Sequence, residues 1–307
     1  MMQLHDWIPV DKLHPSGLCA NPNAIAFLER NPDMIDWVEL SANPAAIPLL
    51  QDNLDKVHWS WFSRNANAVP FFFARKHQLD YVSLATNTNP DVLPLLQEYI
   101  DRIRHDSTEA HFGFWSFLSQ NPLLPLLRNC QKHIVIDRLA LNPNKDAIAW
   151  LLVNCFDQID WEALSRNPGA IDVLRQYEDK ICWWALSQNP AAFATKLLSD
   201  HPERIDWYYL SANPGPGAIT ILLSNPDKIV FSQLVRNPNP DVLPLLRPTL
   251  LKEAKHYDWY FLSRQPYLFF QKRRPFEEEL IRTTLHPRRL VQYLDRGYDL
   301  ETVWSFF

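Results

Sequence analysis

The sequence predicts an all-α protein: a right-handed α-solenoid of about eleven 22-residue units, each built from two short helices, the first short enough to be 3-10. Three observations predict it. One phrase recurs along the chain, as "LSANPAAIPLL" at 40–50 and "LSANPGPGAITILL" at 210–223. The chain has 25 prolines against 6 glycines, which favours helix starts over flexible linkers, because proline fixes φ and gives up an N–H that the first helical turn does not use. No segment shows the period-2 alternation of a half-buried strand.

The phrase carries an aromatic three residues before its Leu, and that position measures the repeat. It falls at Pro15, a degenerate start, then at Trp37, Trp59, Tyr81, Trp115, Ile136, Trp161, Trp183, Trp207, Phe231 and Trp259. The steps are 22, 22, 22, 34, 21, 25, 22, 24, 24 and 28 residues. The long step holds an insertion near 98–112. The organisation expected is an N-terminal cap over 1–14, a continuous repeat body over 15–270, and a C-terminal capping segment over 271–307.

Within a unit, Asp36, Asp80, Asp160, Asp206 and Asp258 stand just before the aromatic, where a carboxylate can accept from the free N–H groups of a helix start. Glu39, three residues after Asp36, makes a capping-box pair with it. The first helix ends at the Ser, because the Asn that follows precedes proline and is pushed to an extended backbone. That Asn (Asn43, Asn121, Asn167, Asn189, Asn237) becomes the N-cap of a second helix with Pro at its first position. A further proline four residues on, at Pro48, Pro70, Pro94, Pro125 and Pro244, predicts a tight first turn. The Ser is read as a small residue for close packing.

Helices this short are marginal alone, so stacking must stabilise them. The paired leucines (Leu49 and Leu50, Leu95 and Leu96, Leu126 and Leu127, Leu222 and Leu223) and Ile35, Ile159, Ile181, Ile205 and Ile229 supply the shared core. At roughly 8 to 10 Å per unit, helix-packing distance, eleven units predict a curved rod on the order of 100 Å long.

The unit I-D-W-x-x-L-S-x-N-P-x-A-I-x-x-L-x-x-N-P-D-K-I resembles the Asn-Pro-rich short repeats of the nucleocytoplasmic large DNA viruses, the giant viruses of protists and algae. "IDWEALSRNPGAI" at 159–171 and "NPDKI" at 225–229 carry the likeness, and "LHPRRLVQYLDRGYDLETV" at 285–303 resembles the closing segment of such proteins. The resemblance covers about residues 15–305. It implies a viral, all-helical repeat protein and no activity. A weaker, local likeness to leucine-rich variant repeats lies in the Asn-Pro followed by P-x-L-L.

Function is sought at positions the repeat leaves variable. After the Ser stand Arg64, Arg166, Arg236 and Arg264; one or two places after the aromatic stand Trp61, Phe117, Trp184, Tyr208, Tyr209, Tyr260 and Phe261. Arginine beside large aromatics is the composition of protein-binding hot spots. Trp61, Arg64, Phe117, Arg166, Trp184, Tyr208, Tyr209, Arg236, Tyr260 and Arg264 are therefore the protein-binding candidates. The competing reading makes them wedges between neighbouring units. Arg64, Arg166, Trp184 and Tyr209 are expected to tolerate alanine. The repeated aromatic itself reads as core, since Ile136 cannot stack on a base.

Composition narrows the partner. Net charge is -5, with the body to residue 246 at -8 (19 basic, 27 acidic) and the rest at +3 (11 basic, 8 acidic). An acidic body disfavours nucleic acid, which leaves a nucleic-acid-binding solenoid as the alternative. The basic residues Lys272, Arg273, Arg274, Arg282, Arg288 and Arg289 lie among Glu277, Glu278 and Glu279 and read as a solvated cap. No catalytic, cofactor or zinc-ligand motif is present. The insertion residues His105, Asp106, Glu109 and His111 read as a solvated loop and not a metal site. Four scattered cysteines, Cys19, Cys130, Cys155 and Cys182, suit a reducing compartment, and the start lacks a signal-peptide pattern. The expectation is a non-enzymatic scaffold that binds another protein, viral or host, in the virion or the host cytoplasm, with no membrane span.

Overall fold

The computed structural model describes residues 2–123, 130–247, 250 and 254–271. They are mostly helical, in many short helices. The first helix of each unit is α-helical: Pro15–Cys19, Trp37–Ser41, Trp59–Arg64, Tyr81–Leu84, Phe112–Gln120, Ile136–Leu139, Trp161–Arg166, Trp183–Leu186, Trp207–Ser211, Phe231–Leu234 and His256–Ser263. The 3-10 geometry lies elsewhere than expected. Where the N-cap carbonyl is met four residues on, as in Leu40 N–H to Asp36 O at 2.9 Å, the turn is α from its start. The Asn-Pro step instead makes a 3-10 turn, such as Pro44–Ala46, that runs into an α-helix such as Ile47–Gln51. This division explains the second proline: Pro48 falls in the first turn of the α segment, where its missing N–H has no partner to lose.

Asp36, Asp80, Asp160 and Asp206 cap as expected. Glu39 does not complete a capping box: its carboxylate turns to unit 11 and meets Arg264 and Tyr260. Asp258 is not an N-cap either. The helix of unit 11 begins a turn early, at His256, so Asp258 sits in its first turn and accepts from the Lys255 N–H at 2.9 Å.

The insertion is a loop only in its middle, over 104–108, which holds His105 and Asp106; Glu109 and His111 lie in a 3-10 turn, and the flanks are helical. It extends one helix over Leu93–Ile103 and starts the next at Phe112. The reason is apolar spacing: Leu96, Ile100 and Ile103 share one face and are buried. Of the paired leucines, Leu95 and Leu96 are both fully buried, as expected, whereas in the other described pairs only one side chain faces the core: Leu50 and Leu222 are fully buried, Leu49 is half-buried and Leu223 is exposed. Leu126, Leu127 and Pro125 lie outside the described residues.

The units are joined by a ladder of buried asparagines. Each Asn accepts the N–H two residues on through Oδ1, and its Nδ2 donates to two carbonyls of the preceding unit. At Asn43 and Asn167 the Oδ1 bond is the expected N-cap, with Pro at the first helical position. At Asn121, Asn189 and Asn237 the Pro that follows is not helical; the helices after Asn189 and Asn237 begin later, at Ala192 and Pro240, so there the Oδ1 bond closes a local turn and does not cap a helix. Asn65 is representative: Oδ1 accepts from Asn67 N at 3.1 Å, and Nδ2 donates to Ser41 O at 3.1 Å and Asn43 O at 2.9 Å. Asn43, Asn87, Asn121, Asn142, Asn167, Asn189, Asn213 and Asn237 repeat the arrangement.

The Ser is a second relay and not merely a small residue. Ser41 Oγ donates to Trp37 O at 2.6 Å and accepts the His58 N–H of the next unit at 3.0 Å. Ser63, Ser119, Ser165, Ser187 and Ser211 accept in the same way. In unit 1, Cys19 takes the place, its sulfur accepting from Asp36 N at 3.1 Å.

Both relays close on themselves. Asn21 of unit 1 donates to Ser263 O at 3.0 Å and Gln265 O at 2.8 Å of unit 11, and the His14 N–H meets Ser263 Oγ at 2.9 Å. Gln265 stands where the Asn would be; its Nε2 reaches Val235 O, and Tyr267 Oη supplies the second bond, to Asn237 O. Strand β1 (Met2–Leu4) pairs antiparallel with strand β2 (Phe269–Gln271), Gln3 opposite Phe270. The first helices of units 1 and 11 pack together, and a Cβ added to Gly17 would lie 2.5 Å from Tyr260 O. The contacts thus form a closed cycle, not the open rod the sequence suggests. Closure follows where the small rotation from each unit to the next accumulates to a full turn over the array. The residues assigned to an N-terminal cap carry β1, and those assigned to the C-terminal cap lie, from 272 on, outside the described residues.

Candidate interaction surface

One and two places after the aromatic, and again five places after it, residues share one face of the first helix, because i, i+3 and i+4 fall on one side. That face holds the candidates, and arginines lie on aromatic rings along it. Arg64 Cζ is 5.3 Å from the Trp61 ring centre, Arg166 is 5.3 Å from Trp184, Arg236 is 3.8 Å from Phe261, and Arg264 is 5.4 Å from Tyr260.

The candidates fall into two groups. Tyr208, at 47% exposed, and Phe117, at 37%, offer free ring surface. Trp184 and Tyr209 are half-buried and pack against each other across units 8 and 9, their rings tilted by 34° with centres 5.1 Å apart. These two are wedges as well as surface, which revises the expectation that they tolerate alanine. Trp61 is half-buried under the exposed Arg64, whose Nε also donates to Ser83 Oγ at 3.3 Å.

The charges differ in the same way. Arg166 is paired with Glu162 at 2.8 Å, and Arg264 with Glu39 at 3.2 Å. Among the described residues, Arg64 and Arg236 form no ion pair. Glu39 was missed as a surface residue: it looks like a cap locally, and only closure brings it to Arg264, 225 positions away.

The repeated aromatic is core in part. Trp115 and Trp259 are buried, but Trp37, Trp59, Trp161, Trp183 and Trp207 are half-buried. Lys56 covers Trp37 and Arg204 covers Trp183, at 4.7 Å each. The alkyl stems shield the rings and the charges stay in water.

Three titrating groups record the packing. Burial pushes the Cys19 thiol up to about 11, against the Asp36 N–H that favours its thiolate. Burial also acts to raise Asp80, but hydrogen bonds from Ser60, Ser83 and the Val82 N–H outweigh it and hold the carboxyl below its usual range. Burial lowers His14, at the closure, helped by His256 nearby and opposed by Asp36.

Among the described residues no group of His, Cys, Asp or Glu is placed to hold a metal ion. His111 Nε2 and Asp106 Oδ2 of the insertion pair with each other at 2.9 Å. Lys272, Arg273, Arg274, Arg282, Arg288 and Arg289 lie outside the described residues. No described helix is long and apolar enough to cross a membrane. No family model, curated protein or solved structure matches the chain.

Proposed function

We propose that the protein is a non-enzymatic scaffold: a solenoid closed into a ring whose first-helix face binds another protein. The observation that carries this reading is the set of arginines resting on aromatic rings in units 3, 7, 10 and 11, with Tyr208 and Phe117 exposed at equivalent positions of units 9 and 5. Stacking holds each guanidinium in place, so a partner's groups meet donors whose freedom is already reduced. The reading is supported by the residues that the repeat does not need, which gather on one face while the caps and relays occupy the others. The resemblance to giant-virus repeats sets the expected context, a minor capsid or internal virion component or an adaptor for a host protein.

The test is a crosslinked pull-down from infected cells, beside quantitative mass spectrometry of purified virions. Wild type is compared with Arg64→Ala/Tyr208→Ala/Arg236→Ala. A partner recovered in fixed proportion with wild type and lost with the triple variant is the expected result. A partner retained equally by both would refute the assignment of this face.

A further inference from the structure

Within that face the helix of unit 11 (His256–Ser263) carries a distinct patch. Tyr257, Tyr260, Phe261 and Arg264 recur at i, i+3, i+4 and i+7, one side of a helix. Tyr257 is 63% exposed and meets Phe261 edge-on, ring centres 4.9 Å apart. Phe261 and Tyr260 also meet edge-on, at 5.1 Å. Unit 10 lays Arg236 across the outer pair, 3.8 Å from the Phe261 ring centre and 5.9 Å from that of Tyr257. On the other side Arg264 donates to Tyr260 Oη at 2.7 Å and pairs with Glu39.

The two arginines are therefore not equivalent. Arg264 is neutralised by Glu39, whereas Arg236 is exposed and has no carboxylate partner among the described residues. A ring under the guanidinium plane uses none of its N–H groups, so the edge that could take a carboxylate in bidentate fashion is unused. We infer that the patch of Arg236, Tyr257, Tyr260 and Phe261 binds a peptide segment that carries carboxylates beside apolar side chains. The carboxylate neutralises Arg236 and the apolar residues cover Tyr257 and Phe261. A nucleic-acid strand fits less well, because it brings a phosphate with every nucleotide to a chain of net charge -5, where the neighbouring Arg264 is already paired. The inference rests on the protein-binding reading above and narrows its partner.

The experiment uses the full chain and fluorescently labelled pools of 12-residue peptides of randomised order. One pool is composed of Glu, Leu and Phe, one of Ser, Leu and Phe, one of Lys, Leu and Phe, and a labelled oligothymidine is the fourth probe. Wild type is compared with Arg236→Gln, Arg236→Lys and the distant Lys145→Ala. The acidic pool should bind best and weaken as salt is raised. Arg236→Gln should lower its affinity about tenfold, Arg236→Lys less, and Lys145→Ala not at all. The Gln and Lys variants should melt with wild type because the side chain is exposed, and should one fail to fold, the other carries the comparison. Equal or tighter binding of the neutral or basic pool overturns the acidic assignment and leaves protein binding standing. Preference for oligothymidine, or no binding by any probe, overturns both. Acidic binding unchanged by both Arg236 variants overturns the placement.

Discussion

Replacing Asn65 by Asp changes one atom and separates the two jobs of the asparagine ladder. Oδ1 still accepts the Asn67 N–H, so the cap is retained. Nδ2 becomes an oxygen facing Ser41 O at 3.1 Å and Asn43 O at 2.9 Å, in a site 1% exposed. Two buried hydrogen bonds are lost and two carbonyls are left facing a carboxylate. At about 1 to 3 kcal/mol for each buried group left unsatisfied, Asn65→Asp should cost roughly 2 to 6 kcal/mol at neutral pH. A lost cap alone would cost about 1 kcal/mol.

The pH dependence makes the reasoning sharper. Burial against two carbonyls raises the carboxyl above its unfolded value, because only the protonated form can donate to either. The native state then holds a proton that the unfolded state releases, so the variant is least destabilised at low pH and loses stability as pH rises through the raised value. Urea unfolding followed by circular dichroism at several pH values would measure both. A variant as stable as wild type at pH 7, or with a pH profile parallel to it, would refute the donor role of Nδ2.

Three further outcomes follow from the same contacts. Gly17→Ala places a Cβ 2.5 Å from Tyr260 O and 2.8 Å from Ser263 Cβ at the junction of units 1 and 11; it should cost about 1 to 3 kcal/mol in thermal unfolding, whereas Ala20→Gly, on the same helix end, should not open the junction. Cys19, with its thiol raised from 9.0 to about 11, should resist alkylation at pH 8 in the folded protein while Cys155 and Cys182 react. Relative to Cys19→Ser, wild type should lose stability between pH 9 and 11, where the unfolded thiol ionises first. Trp184→Ala removes the ring between Arg166 and Tyr209 and should cost about 1 to 2 kcal/mol, from the aromatic pair and the cation contact, measured by chemical denaturation. No loss would return Trp184 to the surface residues.

The period, many of the helix starts and the core isoleucines were legible because each is written locally: an Asp before an aromatic, an Asn before a Pro, an apolar residue at fixed spacing. The starts near Asp258, Asn189 and Asn237 were misplaced because the same dipeptides there fall inside a helix or a turn. What the asparagine amide does was not, since its partners sit one unit back and a cap explains the residue without them. The serine relay was hidden in the same way, behind a plausible packing role. The repeat phrase reads alike in an open and a closed array, because closure depends on small rotations accumulated over every unit. Its traces in the sequence are single departures from the pattern: Gly17 in a degenerate first unit, Gln265 in place of an Asn, and Glu39 and Arg264 with opposite charges. Each is unremarkable until units 1 and 11 are placed side by side. The candidate face was legible as composition, but not which arginine was left unpaired, because Glu162 is local to Arg166 and Glu39 is distant from Arg264.

Closure is tested most directly by the distance between the two ends of the array. Spin labels at Lys12→Cys and Lys255→Cys, both exposed, with the half-buried Cys155 and Cys182 replaced by serine, would report it by pulsed electron resonance. The helices that follow these sites pack side by side, so helix-packing distance plus the label arms predicts a narrow distribution at roughly 15 to 30 Å. An open array of eleven units would hold the labels on the order of 100 Å apart, and the absence of any short distance would contradict the closed cycle.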